Sequence, residues 1–163
     1  MTDPRTGHGR TTPGNAYAGT NPAGGAAVRN AARIVGAVFL LVGVLGFIPG
    51  ITTNYDQLSF AGPQSEALLL GIFQVSILHN IVHLLFGVAG LALSKDARSA
   101  ASYLVVGGVV YLALFVYGLA VDLQSDANFV PFNDADNYLH LVLGLGMLAL
   151  GLVLGKKDTA DRR

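Results

Sequence analysis

Four long apolar stretches, separated by polar segments, dominate the chain. They cover residues 30–48, 67–93, 100–121 and 138–155. Each is long enough, or nearly so, to cross about 30 Å of hydrocarbon as a helix that rises about 1.5 Å per residue. The pattern therefore predicts an all-α fold, an integral membrane four-helix bundle formed by residues 29–155.

Two polar segments flank the predicted bundle. Residues 1–28 are rich in Gly, Pro, Thr, Asn and Ala and show no apolar periodicity. Such a segment cannot bury enough apolar surface to offset the entropy lost on ordering, so we expect a disordered N-terminal tail. Residues 156–163 form a short basic tail.

Basic residues near the predicted spans are confined to one side of them. Lys95 and Arg98 lie in the short loop after the second span, and further basic residues precede the first span and follow the fourth. The loops 49–66 and 122–137 contain acidic residues and no Lys or Arg. Because cytoplasmic loops carry an excess of Lys and Arg, we expect a multi-pass protein of the cell membrane with both termini in the cytoplasm.

Composition narrows the possible functions. Hydrophobic residues make up 52% of the chain, charged residues make up 12%, and the formal net charge is zero, whereas a nucleic-acid binder would need a basic surface. The sequence has no Cys, which excludes disulfides and thiolate ligands. It also shows no Ser/His/Asp spacing and no glycine-rich phosphate loop, which argues against a hydrolase, a kinase or a nucleotide-driven pump and favours a non-enzymatic protein. The expected partners are the lipid bilayer and either other membrane proteins or a second copy of the chain.

Polar and small residues form a stripe on each of two spans, within an arc of about 100° on a helical wheel. On the second span the stripe consists of Ser76, His79, Asn80, His83, Gly87 and Gly90. On the fourth span it consists of Asp136, His140, Gly144, Met147, Gly151 and Gly155. Since lipid cannot satisfy an imidazole or an amide, we expect the two stripes to face each other or the bundle centre.

The histidines are the candidate chemical centre. His79 and His140 each lie sixteen residues before a lysine of the basic side, which predicts that both rings lie about 24 Å from those lysines. Two imidazoles at one depth could bind the iron of haem b. Alternatively, His79, His83, His140 and Asp136 could bind a divalent metal.

Other roles for the same residues stay open. The histidines could hydrogen-bond with Ser76, Asn80 or Asp136 and fix the helix register, each contact contributing about 1 kcal/mol or less in a membrane. The stripe could also conduct protons or a small solute, although Gly and Leu line its inner half. Asp136 could cap the fourth helix, because Asp and Asn satisfy free N–H groups at helix starts.

A weak internal similarity links the second and fourth spans. The runs LHNIVHLLFGVAGLALSKD and LHLVLGLGMLALGLVLGKKD match in a register that aligns His79 with His140. The spans that precede them do not align in the same register. The similarity therefore does not by itself predict a duplicated transporter fold.

Three segments resemble one known family: HNIVHLLFGVAGLALS, YLVVGGVVYLALFVYGL and NFVPFNDADNYLHLVLGLGMLALG. Together they are similar to the bacterial four-span membrane proteins described as domain of unknown function 4383, and NDADNYLH paired with HNIVH is the most specific element. The resemblance implies a four-helix integral membrane protein without an established activity. We expect a structural or accessory component of the bacterial cell membrane. The alternatives are a small haem- or metal-binding redox protein and, third, a conduit.

Overall fold

The computed structural model describes residues 22–160 of the 163-residue chain, with side chains described for residues 25–156. In this range the helices are α1 (Pro22–Leu45), α2 (Ile77–Leu93), α3 (Ala97–Ala120) and α4 (Asp134–Ala160). Three short strands, β1 (Thr52–Thr53), β2 (Leu68–Leu69) and β3 (Phe73–Gln74), lie between α1 and α2. Of the predicted tails 1–28 and 156–163, residues 1–21 and 161–163 lie outside the described range, residues 22–28 lie in α1, and residues 156–160 lie in α4.

Three of the described helices are long and apolar enough to cross a membrane. They are Gly25–Leu45, Ala97–Ala120 and Asp134–Lys156. α2 is also apolar but has only 17 residues, which gives it a length of about 25 Å. Large apolar side chains are exposed around the whole bundle, for example Ile34, Leu85, Val106 and Val142. An apolar outer surface of this extent is typical of a membrane protein.

α1 and α2 pack as an antiparallel pair through glycines. A Cβ on Gly36 would lie 2.9 Å from the carbonyl oxygen of Gly87, and a Cβ on Gly87 would lie 2.6 Å from Leu40 Cγ. Nearer the end of α1, a Cβ on Gly46 would overlap the side-chain amide of Asn80. Small residues therefore allow the two backbones to approach closely, as they do in membrane helix pairs.

α3 and α4 pack by the same means. A Cβ on Gly108 would lie 2.9 Å from the carbonyl oxygen of Gly144, and a Cβ on Gly144 would lie 2.8 Å from Leu112 Cγ. A Cβ on Gly118 would overlap the side-chain amide of Asn137. The described bundle therefore consists of two glycine-packed helix pairs, α1–α2 and α3–α4.

The strands form a small antiparallel sheet in the connection between α1 and α2. β2 lies in the middle, with Leu68 opposite both Thr53 of β1 and Gln74 of β3. Leu70 and Gly71, at φ angles of 56° and 70°, reverse the chain between β2 and β3. The prediction of an all-α fold was therefore wrong in this segment, where residues 67–76 form a hairpin and not the start of a helix.

The start of α2 at Ile77 has a specific cause. Its first backbone N–H groups find acceptors outside the helix: Ile77 donates to the carbonyl of Ser59 at 3.0 Å, and Leu78 donates to the carbonyl of Phe60 at 2.9 Å. Ser76 caps the helix by accepting the next N–H group. Free N–H groups at a helix start must be satisfied when they are buried. The apolar run alone contains no signal for these partners.

The connections α1–α2 and α3–α4 meet at one end of the bundle, which we call the hairpin end. Gly62 donates its N–H to the carbonyl of Phe129 at 2.9 Å, and Gln64 donates from Nε2 to Asp126 at 3.1 Å. The opposite end, called the Lys95 end, holds the short turn between α2 and α3. The two connections thus form one joined layer over the helices.

A histidine-lined cavity as the candidate functional site

A cavity of about 100 Å³ lies beneath this layer, among the helices. Its polar side chains are His79 and His83 from α2, Tyr111 from α3, and Asp136 and His140 from α4. The rest of its wall is apolar and comes from α1, the hairpin and α4. The polar parts of the two predicted stripes therefore face a common centre, as expected.

The polar residues of α2 are bound to their own helix. Ser76 Oγ accepts the backbone N–H of His79 at 3.1 Å. His79 Nδ1 lies 3.4 Å from Asn80 Oδ1, and His83 Nδ1 lies 3.0 Å from the carbonyl oxygen of His79. Because a backbone carbonyl can only accept, Nδ1 of His83 acts as a donor, and Nε2 of the neutral ring retains its lone pair. The two imidazole centroids are 4.0 Å apart.

At the start of α4, Asp136 binds both its own helix and the hairpin. Its Oδ2 atom accepts the backbone N–H groups of Asn133 and Gln74, each at 3.0 Å. Asn133 Oδ1 accepts the N–H of Asp136 at 3.0 Å in return, which is the reciprocal arrangement of a capping box. Asn133 Nδ2 also donates to the carbonyl of Ile72 at 2.7 Å. The interpretation of Asp136 as a helix cap is confirmed, and the same carboxylate holds β3 against α4.

Aromatic rings connect the histidines of the two helix pairs. The centroid of His83 lies 5.4 Å from that of Phe39, and the centroid of His140 lies 5.3 Å from that of Tyr111. Phe39 and Tyr111 are in turn 5.4 Å apart. His140 is almost fully buried, and its Nδ1 atom has no hydrogen-bond partner within the described part of the chain.

These contacts reveal corresponding positions in the two pairs, at equal spacing within each helix. Gly36, Phe39, Leu40 and Gly46 of α1 correspond to Gly108, Tyr111, Leu112 and Gly118 of α3. Ser76, His79, Asn80, His83 and Gly87 of α2 correspond to Asn133, Asp136, Asn137, His140 and Gly144 of α4. In each pair an aromatic ring meets a histidine, and a helix-cap side chain accepts an N–H three residues later.

The correspondence matches His140 with His83 and leaves Asp136 in the place of His79. The sequence register that aligned His79 with His140 was therefore wrong for the packing. The equal count of sixteen residues from each histidine to its lysine gives equal depth only if both helices end at the same distance before that lysine. α2 ends at Leu93, whereas α4 continues to Ala160, so that count does not measure equivalent positions.

The cavity limits which cofactors fit. Its volume of about 100 Å³ is well below the ≈ 300–1,000 Å³ of pockets that enclose drug-sized ligands, and haem b is a ligand of that size or larger. Among the described residues, no group of three or more His, Asp or Glu side chains is arranged to hold a metal ion. The four residues of the metal site expected from the sequence, His79, His83, Asp136 and His140, all line the cavity, and metal binding by them stays a prediction.

Aromatic side chains fill the bundle on the Lys95 side of the cavity. Phe86 lies 5.0 Å from Phe39 and 5.1 Å from Tyr103, measured between ring centroids. The Tyr103 hydroxyl donates to the carbonyl of Phe86 at 3.2 Å, and Met147 is buried in the same cluster. This packing interrupts the polar stripe and argues against a conduit through the bundle.

Sequence reasoning missed several contributors to the site. Tyr111 and Gln74 have no local signal, because their roles depend on contacts with other elements. For Asn137 the sequence does contain a local signal, because the spacing Asn-x-x-His occurs at Asn80–His83 and again at Asn137–His140. Each of these asparagines packs against a glycine and has one buried amide atom without a hydrogen-bond partner among the described residues.

Comparison with known proteins identifies a family. The model of the family described as Domain of unknown function (DUF4383) matches residues 29–153. No curated protein and no solved structure matches the chain.

Proposed function

The chain belongs to the DUF4383 family, and for this member we propose a non-enzymatic role as a structural or accessory component of the cell membrane. One observation carries the proposal. The carboxylate of Asp136, the most polar group of the cavity, accepts backbone N–H groups from Asn133 and Gln74. Its hydrogen bonds thus join the hairpin to α4, which supports a role in holding the bundle together and not in chemistry on a substrate.

The contacts of the histidines support the same role. His83 donates to the backbone of its own helix and packs against Phe39, while His140 packs against Tyr111. The ring contacts join helices of both pairs. In this function the polar centre specifies how the two pairs assemble, and other membrane proteins or a second copy of the chain would bind the outer surface.

The experiment compares wild-type protein with His140→Ala after purification in mild detergent. We expect a featureless absorption spectrum before and after dithionite, no stoichiometric metal, and a lower thermal unfolding temperature for the variant. A haem band or one bound metal per chain that disappears in His140→Ala would overturn the proposal. Unchanged thermal stability in the variant would also contradict it.

The proposed orientation places both termini in the cytoplasm. Its support is the charge distribution. Lys95, Arg98 and the basic residues that flank the bundle put positive charge at the Lys95 end, and positively charged ends face the cytoplasm. The sequence has no Cys, so single cysteines can report the side directly. A membrane-impermeant maleimide added to intact cells should label Gln57→Cys and leave Lys95→Cys, in the exposed turn between α2 and α3, unlabelled. The reverse pattern would refute the orientation.

A second candidate function is the binding of one small cation, and the Nε2 lone pair of His83 favours it. An Nδ1–H group that donates to a carbonyl oxygen, as in His83, is the usual support of a metal-ligating histidine. The test is a calorimetric titration of wild type and His83→Gln with Zn²⁺. Saturable binding by the wild type that is lost in the variant supports this function. Equal heats in both proteins exclude it.

A further inference from the structure

An apolar groove lies on the outside of α3 at the hairpin end. It has a volume of about 300 Å³ and lies between the helix and the segment 121–133. α3 contributes Val110, Ala113, Leu114 and Tyr117, and the segment contributes Phe129 and Phe132. Every one of these side chains is apolar or aromatic.

Tyr117 carries the one hydroxyl among these walls, and that hydroxyl is already paired. It donates to the backbone carbonyl of Ala127. Its ring contacts Phe129 and Phe132 edge-on, at centroid distances of 6.2 Å and 6.0 Å. The groove therefore has fixed aromatic walls and offers no polar group to a charged or water-soluble ligand.

The corresponding face of α1 is covered by the chain itself at its hairpin-end half, whereas Val38 and Leu41, the counterparts of Val110 and Ala113, are exposed. Val42 and Leu45 occupy in α1 the positions that Leu114 and Tyr117 occupy in α3. Both pack against the buried hairpin cluster that contains Leu69. The segment 121–133 is shorter than the α1–α2 connection and has no strand, so an equivalent apolar cover is missing on α3 within the described residues.

We propose that the groove binds one acyl chain of a membrane phospholipid, which would cover Leu114 and Tyr117 as the hairpin covers Val42 and Leu45 on α1. Its α3 residues, Val110 to Tyr117, lie within a helix that is long and apolar enough to cross a membrane. They are about 5–15 Å from the end of that helix, a depth that falls in the hydrocarbon layer. Lipid chains are the molecules that surround the protein at this depth.

The size of the groove favours a single acyl chain over a protein partner. Stable protein interfaces bury more than about 1,000 Å² in total. A groove of about 300 Å³ is at the lower limit for ligand pockets and suits one small apolar group such as an acyl chain. The inference goes beyond the proposed function and does not depend on it, since the groove and the cavity are lined by different residues, although the groove residue Phe132 packs edge-on against His140 at 4.8 Å.

Photo-crosslinking tests the inference on the full-length protein. The chain is reconstituted into phosphatidylcholine vesicles that contain some phosphatidylcholine with a diazirine on one acyl chain. In the wild type we expect residues 110–117 and 129–132 to be labelled several-fold more than other lipid-facing positions such as Val106 and Leu85. Even labelling of all exposed apolar positions would overturn the inference.

A pair of matched variants provides the control. Ala113→Phe fills the groove and should abolish the enrichment. Leu41→Phe introduces the same ring at the corresponding, exposed position of α1 and should preserve it. Enrichment that persists in Ala113→Phe would contradict the inference. If that variant fails to fold, the labelling pattern of the wild type decides by itself.

Discussion

The α1–α2 pair and the α3–α4 pair share a packing scheme but differ in what covers them. In each pair glycines bring the backbones together, and an asparagine fills the notch at a glycine near the hairpin end, Gly46 in one and Gly118 in the other. The α1–α2 connection then forms a sheet that packs on α1, whereas the α3–α4 connection leaves a groove on α3. Small residues thus determine how the helices pair, and the length of the connection determines which outer face is covered.

The same comparison explains why corresponding polar positions have different roles. His79 follows the cap of α2, and Asp136 follows the cap of α4, at the same spacing. Only the carboxylate accepts a hydrogen bond from the hairpin, through the N–H of Gln74. The same position in the two pairs therefore holds different groups. In α1–α2 it is an imidazole that faces the cavity, and in α3–α4 it is a carboxylate that connects α4 to the hairpin.

The largest expected effect tests whether the two pairs are equivalent in packing. Gly36→Val and Gly108→Val each place a side chain against the backbone of the partner helix, so each should lower the free energy of unfolding by about 3 kcal/mol. Thermal unfolding in detergent measures both. Gly146→Val is the control, because nothing lies within 4 Å of a Cβ there; it should change stability by less than about 0.5 kcal/mol. A large loss in only one of the two pairs would break the equivalence.

A smaller effect should separate the corresponding residues His79 and Asp136. Asp136→Ala leaves the N–H of Gln74 without its acceptor and should cost about 2 kcal/mol. His79→Ala removes a side chain without a hydrogen bond to the hairpin, so it should cost less. Hydrogen exchange at Gln74 supplies the second readout, with faster exchange expected in Asp136→Ala alone. Equal exchange in the two variants would argue against a connecting role for the carboxylate.

The smallest effect concerns the helix caps, Ser76 of α2 and Asn133 of α4. Ser76→Ala removes one capping oxygen and should cost about 1 kcal/mol. Asn133→Ala should cost more, since it also removes the hydrogen bond to the carbonyl of Ile72. Asn133→Asp keeps the capping acceptor and loses that donor, so its unfolding temperature should fall between those of wild type and Asn133→Ala. A value below that of Asn133→Ala would contradict this assignment.

Much of the helical framework is readable from the apolar runs. The predicted spans 30–48, 100–121 and 138–155 overlap α1, α3 and α4, because a long apolar run is a local property of the chain. The run 67–93 predicts one helix, yet its first part, residues 67–76, is a hairpin. Apolar runs do not distinguish a strand from a helix; here the difference depends on the carbonyls of Ser59 and Phe60, which accept the first N–H groups of α2.

In the candidate site, too, local sequence predicts some features and contacts between helices decide the others. The helical wheel placed His79, His83, Asp136 and His140 toward a common centre, since the side of a helix that lipid cannot solvate must face protein. It could not match His83 with His140, because that match depends on their contacts with Phe39 and Tyr111 on other helices.

The sequence by itself determined an apolar helical protein with its polar side chains turned inward, because hydropathy and helical periodicity act residue by residue. Tertiary structure alone decided the helix pairing, the hairpin over the cavity and the open groove on α3. These features depend on the close approach of glycine backbones and on hydrogen bonds between residues far apart in the chain, such as Gln74 and Asp136. No local pattern encodes such contacts, since both partners must first be brought together by the fold.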